Sequence, residues 1–185
     1  LGAIFYIVHH IVVKTTLFLV GGAAHRLGGA FELKNLGGLY RARPGLAVLF
    51  LIPALSLAGL PPLSGFWAKL IILRAGVEAE AYLAVAAAVL AGLITLISMT
   101  KIWSEAFWKP LPADRSPSDG APSMAALITP IVVLAAVTLT IGLYAEPLVV
   151  LAERSATELL GATDYVQAVL GTAPTTAEVL PRPTP

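Results

Sequence analysis

Four long apolar stretches constrain the fold of this chain more than any other feature. Each holds about 20 mostly apolar residues, the length of helix that crosses about 30 Å of hydrocarbon. Because a backbone in lipid has to satisfy its own hydrogen bonds, such stretches form helices. The predicted spans are residues 1–24, 46–73, 82–102 and 124–144. The sequence therefore predicts an all-α polytopic membrane protein, with about four transmembrane helices bundled in residues 1–145.

Composition supports contact with a lipid bilayer and argues against several other functions. Apolar residues make up 57% of the chain and charged residues 12%, proportions unlike those of soluble domains. A net charge of +1 and the absence of cysteine give no reason to expect a nucleic-acid partner or a thiolate metal site. The sequence also lacks phosphate-binding loops, metal-spaced His and carboxylate clusters, and nucleophile motifs. We expect no metal and no cofactor.

The segments outside the spans suggest an orientation and two further regions. Basic residues concentrate in the connections at 25–44 and 103–123, which the positive-inside rule places in the cytoplasm. Residues 146–171 mix apolar and charged positions as an amphipathic surface helix does, and residues 172–185 are predicted to be a disordered tail. Since the chain opens at Leu1 inside an apolar run, without the basic start of a signal peptide, we expect a fragment of a longer protein.

The first span carries a stripe of polar residues. Lys14 lies near its middle, where a charge costs about 2.5–3.5 kcal/mol, and His10 and Tyr6 precede it by four and eight residues on the same helical face. Each can give or take a proton, so the spacing predicts a proton relay. The alternative is that Lys14 extends to the interface while the histidine bonds a neighbouring helix. His9, about 100° around the helix, is either an auxiliary relay group or a polar contact between helices.

The second span is interrupted by the sequence SLAGLPPLSGFWAKL, which starts at Ser56. Pro61 and Pro62 cannot donate backbone hydrogen bonds, so we expect them to end a half-helix. Ser64 is the predicted N-cap of a second half-helix that begins near Gly65. Backbone groups freed by such a break need protein or a wet cavity, so the break is expected to face the bundle interior. The span is therefore predicted to be a discontinuous helix.

Lys69 follows this break and is the second lysine within the spans. Dehydration and the positive dipole at the start of the second half-helix both oppose its charge, so we expect Lys69 to release a proton readily. The alternative is a static kink in which Lys69 pairs with a carboxylate on a neighbouring helix. Lys101 lies close to Trp103 and is expected to reach the interface. Thr95 and Ser98 fit either a hydrated path or a helix contact.

Three segments together carry a family resemblance. They are HHIVVKTTLFLVGG, LGGLYRARPGLAVLFLIPALSLAGLPPLSGFWAKL and SMTKIWSEAFW, in this order within residues 1–108. The region resembles the C-terminal third of the antiporter-like membrane subunits. These comprise the large subunits of Mrp-type multisubunit Na⁺/H⁺ antiporters and the proton-pumping membrane subunits of respiratory complex I. The GLPPLSGFWAK segment is most similar to the D-subunit group of the Mrp antiporters.

The resemblance implies a larger bundle of inverted repeats, each with a broken helix that carries an essential lysine. Lys69 matches the broken-helix lysine of the second repeat, and Lys14 and His10 match its central lysine and histidine. The implied function is Na⁺/H⁺ antiport by a complex with other membrane subunits in the bacterial plasma membrane, with Na⁺ and H⁺ as the transported ions. The alternatives are a proton-pumping subunit of a complex I relative and, from another class, a membrane scaffold that transports nothing.

Overall fold

The computed structural model describes residues 1–110, 125–161 and 169, and its described elements are all helical. The α-helices are α1 (Gly2–Gly28), α2 (Leu39–Ala42), α3 (Pro44–Ala58), α4 (Ser64–Glu78), α5 (Tyr82–Trp103), α6 (Ala125–Leu143) and α7 (Glu146–Leu160). A 3₁₀ turn (Leu33–Asn35) precedes α2, and a π-helical turn (Ser104–Trp108) extends α5. The predicted all-α class is confirmed.

Three helices in the described part of the chain are long and apolar enough to cross a membrane. They are Gly2–Gly28 and Tyr82–Trp108, with 27 residues each, and Ala125–Leu143, with 19 residues. The helices α3 and α4 have 15 residues each, or about 22 Å of length apiece, and residues 59–63 separate them. Neither half would cross a bilayer alone, and together they form the predicted discontinuous helix.

Helix α1 lies at the centre of the bundle and packs against α3, α4, α6 and α7. Its start lies beside the middle of α4, beyond the break, because a Cβ on Gly2 would be 3.2 Å from the Ile72 side chain. Farther along α1, Val20 belongs to one buried cluster with Leu46 and Phe50 of α3. Helix α1 therefore runs antiparallel to the broken helix and passes the break near His9.

Aromatic residues close the end of the bundle near the 29–43 connection. The Phe107 ring lies 5.0 Å from the Trp103 ring and 5.1 Å from the Phe50 ring, measured between centroids. Phe107 is 2% exposed and belongs to the core, whereas Trp108 is 74% exposed. The π-helical turn thus sends one aromatic side chain inward and the next one outward.

Helix α7 packs on the opposite end of the bundle. Ala152 is buried in a cluster with Phe5 and Ala68, while Leu159 and Leu160 are exposed. Pro147 lies in its first turn, where a missing N–H removes no helical bond. Within the predicted surface helix at 146–171, the structure describes residues 146–161 and 169. The predicted tail at 172–185 lies outside the described residues.

Candidate functional site

The end of α3 is set by a glycine. Gly59 has φ +94°. Its N–H donates to the carbonyls of Leu55 and Ser56 at 3.1 and 2.9 Å, and the Leu60 N–H donates to the Leu55 carbonyl at 3.1 Å. This is the hydrogen-bonded helix end that favours glycine, because positive φ strains residues with a Cβ. The expectation that the prolines end α3 is thus corrected, since the helix ends before it reaches Pro61.

The two prolines cannot supply backbone N–H groups to the last carbonyls of α3. In a continued helix the N–H groups of residues 61 and 62 would bond the carbonyls of Leu57 and Ala58, and proline has no N–H. The Lys69 Nζ donates to the Ala58 carbonyl at 2.8 Å. A cation at a helix C-terminus also interacts favourably with the helix dipole. Lys69 of α4 therefore caps α3 across the break.

Two glycines make room for the Lys69 side chain. A Cβ on Gly59 would lie 2.7 Å from Lys69 Cδ, and a Cβ on Gly92 of α5 would lie 3.0 Å from Lys69 Nζ. The lysine therefore passes between the end of α3 and the face of α5. Its hydrogen-bond partner is a backbone carbonyl, and none of the three ion pairs found among the described residues includes it. The close fit around Gly59 and Gly92 could not be read from residue spacing.

A cavity of about 610 Å³ brings together four of the predicted side chains. Tyr6, His10 and Lys14 of α1 and Lys69 of α4 line it, and Thr95 of α5 completes its polar residues. The Tyr6 and His10 rings stack with centroids 5.4 Å apart. The cavity therefore holds a phenol, an imidazole and two lysine amines, all of which exchange protons with water.

Lys14 also borders a second cavity of about 520 Å³, which extends along α1 past Gly21 and Gly22 to Phe31. Lys14 and Leu57 line both cavities. Gly21 and Gly22 lie about two helical turns after Lys14, and a Cβ on either would meet no atom within 4 Å. The two cavities are thus neighbours, one beside the break and the other towards the connection after α1.

The start of α4 differs from the predicted cap. Ser64 is the first residue of α4, the N-cap position belongs to Leu63, and no side chain caps the helix from that position. The Ser64 hydroxyl instead lies 2.8 Å from His9 Nδ1 and 3.1 Å from Ser56 Oγ. The Gly65 N–H donates to Ser56 Oγ at 3.1 Å. A serine of α3 thus takes over the capping role across the break, and Ser56 was not identified from the sequence.

His9 lies beside the cavity residues but bonds away from them, since its ring meets the Tyr6 ring edge-on at 6.0 Å between centroids while its Nδ1 faces Ser64. It is 1% exposed, as is Ser64, and Ser56 is fully buried. His9 does not belong to the lining of the cavity that contains His10. Through its contact with Ser64, His9 joins α1 to the start of α4.

Helix α6 holds the break from another side. The Trp67 Nε1 donates to the Gly142 carbonyl at 2.9 Å. A Cβ on Gly142 would collide with the carbonyl of Pro62 and lie 2.9 Å from Leu63 Cα. The prolines themselves are exposed and outside the cavity lining. Gly142 thus lets the segment between the half-helices approach α6 closely.

Comparison with known proteins assigns this architecture to a family. Residues 1–95 match the model of the family described as NADH:quinone oxidoreductase/Mrp antiporter, TM, which is more than half of the 185 residues. The chain belongs to this family. The match to the NADH:quinone oxidoreductase/Mrp antiporter family covers α1, the broken helix and more than half of α5, and so includes every lining residue of the 610 Å³ cavity except Leu96.

Individual members of the family extend the match. The chain is 43% identical over 169 residues to the Na⁺/H⁺ antiporter D subunit of Alkalihalophilus pseudofirmus and 32% identical over 169 residues to that of Bacillus subtilis. Each alignment covers 91% of this chain and 34% of the relative, so the chain spans about a third of their length. A structure of the Mrp complex from a Dietzia species matches with a TM-score of 0.79 at 34% identity, over 92% of this chain and 39% of that one.

Proposed function

We propose that this chain is part of the D subunit of an Mrp-type Na⁺/H⁺ antiporter and that its cavity carries protons. One observation supports the proton role above all others: the Lys69 ammonium caps α3 in a cavity shared with Tyr6, His10 and Lys14. The names of the relatives support the assignment to an antiporter complex. The other membrane subunits of the complex are the proposed partners, and the bacterial plasma membrane is the proposed location.

The bond between Lys69 and Ala58 links the protonation of Lys69 to the cap at the end of α3. A hydrogen bond from an ammonium group is about twice as strong as one between neutral groups. When Lys69 gives its proton to water in the cavity, it becomes a neutral amine and its hold on the Ala58 carbonyl weakens. The side chain then has freedom to leave the end of α3. Proton release and departure of the Lys69 side chain from the end of α3 are coupled in this way.

The rest of the path is supplied by the cavity. A volume of about 610 Å³ is ample for a chain of waters, since each water takes about 30 Å³ in the liquid. The proton passes through such waters to the paired Tyr6 and His10 and on to Lys14, which borders the second cavity. Two lysines in one cavity repel a metal cation when both are protonated. We therefore assign proton movement to this site and Na⁺ movement to other parts of the complex.

The test measures exchange in membrane vesicles that contain the whole complex. Lys69→Met removes the proton carrier, and Lys69→Arg keeps a cation that does not release its proton. We expect both variants to lose at least about tenfold in Na⁺-driven proton movement, with normal complex assembly on native gels. Lys101→Met and Lys101→Arg are the matched controls, because Lys101 is exposed on α5 outside the cavity, and we expect both to exchange normally.

The same experiment separates the alternatives. A membrane scaffold would exchange Na⁺ for H⁺ normally with Met at position 69. A complex I relative would show no Na⁺-driven exchange even in the wild type, and its proton movement would depend on quinone reduction. Normal turnover by Lys69→Arg would show that the charge of Lys69 matters and its proton release does not.

A further inference from the structure

The second polar assembly in the bundle lies outside the cavity and joins α1 to both halves of the broken helix. It consists of His9, Ser64, Ser56 and the Gly65 N–H, and we refer to it as the break latch. Its contacts are His9 Nδ1 to Ser64 Oγ at 2.8 Å, Ser64 Oγ to Ser56 Oγ at 3.1 Å, and Gly65 N to Ser56 Oγ at 3.1 Å. The three side chains are at most 1% exposed.

One arrangement of hydrogens uses both serine protons within the latch. The Gly65 N–H can only donate, so Ser56 Oγ accepts from it and is free to donate its own proton to Ser64. Ser64 then donates to His9 Nδ1, which must be an unprotonated acceptor. This places the proton of the neutral imidazole on Nε2. In this arrangement His9 is the final acceptor of a chain that begins at the first turn of α4, whereas a proton on Nδ1 would make His9 the donor to Ser64.

The latch sets the spacing between the two half-helices. Ser56 lies two residues before Ala58 in α3, and Ser64 lies five residues before Lys69 in α4. The latch therefore joins the same two helix ends that form the 2.8 Å bond between Lys69 and Ala58. Gly65 permits this approach, because a Cβ there would collide with the Ser56 carbonyl and lie 2.9 Å from His9 Cε1.

We propose that His9 is a positioning residue: through Ser64 and Ser56 it holds the break at the spacing at which Lys69 reaches Ala58, and it carries no proton itself. The proposal rests on the proton path proposed above and adds a residue that acts on Lys69 without lining the cavity. It distinguishes the roles of two adjacent histidines. His10 lies in the path, and His9 fixes the structure on which the path depends.

An asparagine at position 9 tests this directly. Its side-chain carbonyl oxygen reaches approximately the place of the imidazole Nδ1 and accepts a hydrogen bond, but the amide does not titrate. In vesicles with the whole complex, we expect His9→Asn to keep at least about half of wild-type exchange. His9→Leu leaves the Ser64 proton unpaired and is expected to lose about tenfold, the rate equivalent of one buried hydrogen bond.

Ser64→Ala provides the second arm, and Thr16→Val is its matched control. Thr16 is a fully buried hydroxyl of α1 that bonds within its own helix, to the Val12 carbonyl. We expect Ser64→Ala to lose exchange about as much as His9→Leu, the double variant to lose no more than either single one, and Thr16→Val to exchange normally. Native gels check assembly, and should His9→Leu fail to assemble, Ser64→Ala and His9→Asn decide the question.

Two results would overturn the proposal. If His9→Asn is as inactive as His9→Leu while it assembles normally, the imidazole is needed as a proton carrier. If Ser64→Ala exchanges at the wild-type rate, the latch does not position Lys69. Failure of the underlying proton path looks different, because Lys69→Met would then exchange normally in the same vesicles.

Discussion

Substitution of Gly65 by alanine should separate the two halves of the broken helix. An added Cβ would collide with the Ser56 carbonyl oxygen and lie 2.7 Å from the carbonyl carbon. Both atoms belong to the backbone, so no side chain can rotate away and α3 and α4 have to move apart. Overpacking of this kind costs about 1–3 kcal/mol. The movement also stretches the three hydrogen bonds of the break latch, each worth about 1 kcal/mol.

The total for Gly65→Ala is about 4–6 kcal/mol. We expect less assembled complex on native gels, an apparent melting temperature several degrees lower in detergent, and loss of Na⁺-driven exchange in the complex that does assemble. Gly45→Ala is the control in the same broken helix, because a Cβ on Gly45 meets no atom within 4 Å. If Gly65→Ala assembles, melts and exchanges like Gly45→Ala, the described packing at the break is wrong.

Two further substitutions test the sides of the break. Gly59→Ala places a Cβ on a residue with φ +94° and within 2.7 Å of Lys69 Cδ. The backbone strain costs about 1–2 kcal/mol and Lys69 is displaced, so we expect exchange to fall at least about tenfold. Normal exchange in vesicles would contradict this. Trp67→Phe removes the 2.9 Å bond to the Gly142 carbonyl and should lower the melting temperature of the complex by a few degrees. An unchanged melting curve would show that this bond adds no stability.

The sequence predicted the features of the site that depend on the chain order alone. Helical spacing placed Tyr6, His10 and Lys14 on one face, and the proline pair indicated a broken helix before Lys69; the structure has both features. What the sequence did not predict depends on contacts between helices. Ser56 is an ordinary small residue in an apolar segment, and its role follows from the approach of α4, which Gly65 permits.

The misassigned cap shows the same limit in a single residue. Ser64 has the residue type and position of an N-cap, and local sequence rules cannot tell where its hydroxyl points. Tertiary structure offers it two buried partners, His9 and Ser56, and these replace the bond within its own helix. The capping role then passes to Ser56, whose oxygen accepts the Gly65 N–H. The sequence identified Ser64 as a polar residue that matters at the break, but its partner His9 lies 55 residues away.

For the proposed proton path, the arrangement around the break explains how a moving lysine and a fixed fold can coexist. The break latch holds α3 and α4 from the side of α1, and Trp67 with Gly142 holds the same segment from the side of α6. Neither set of contacts uses Lys69, whose bond to Ala58 faces the cavity. Loss of that bond therefore changes the cap of α3 without releasing the half-helices from their neighbours. Such a division allows Lys69 to detach and return repeatedly, because the geometry that it returns to is maintained by other residues.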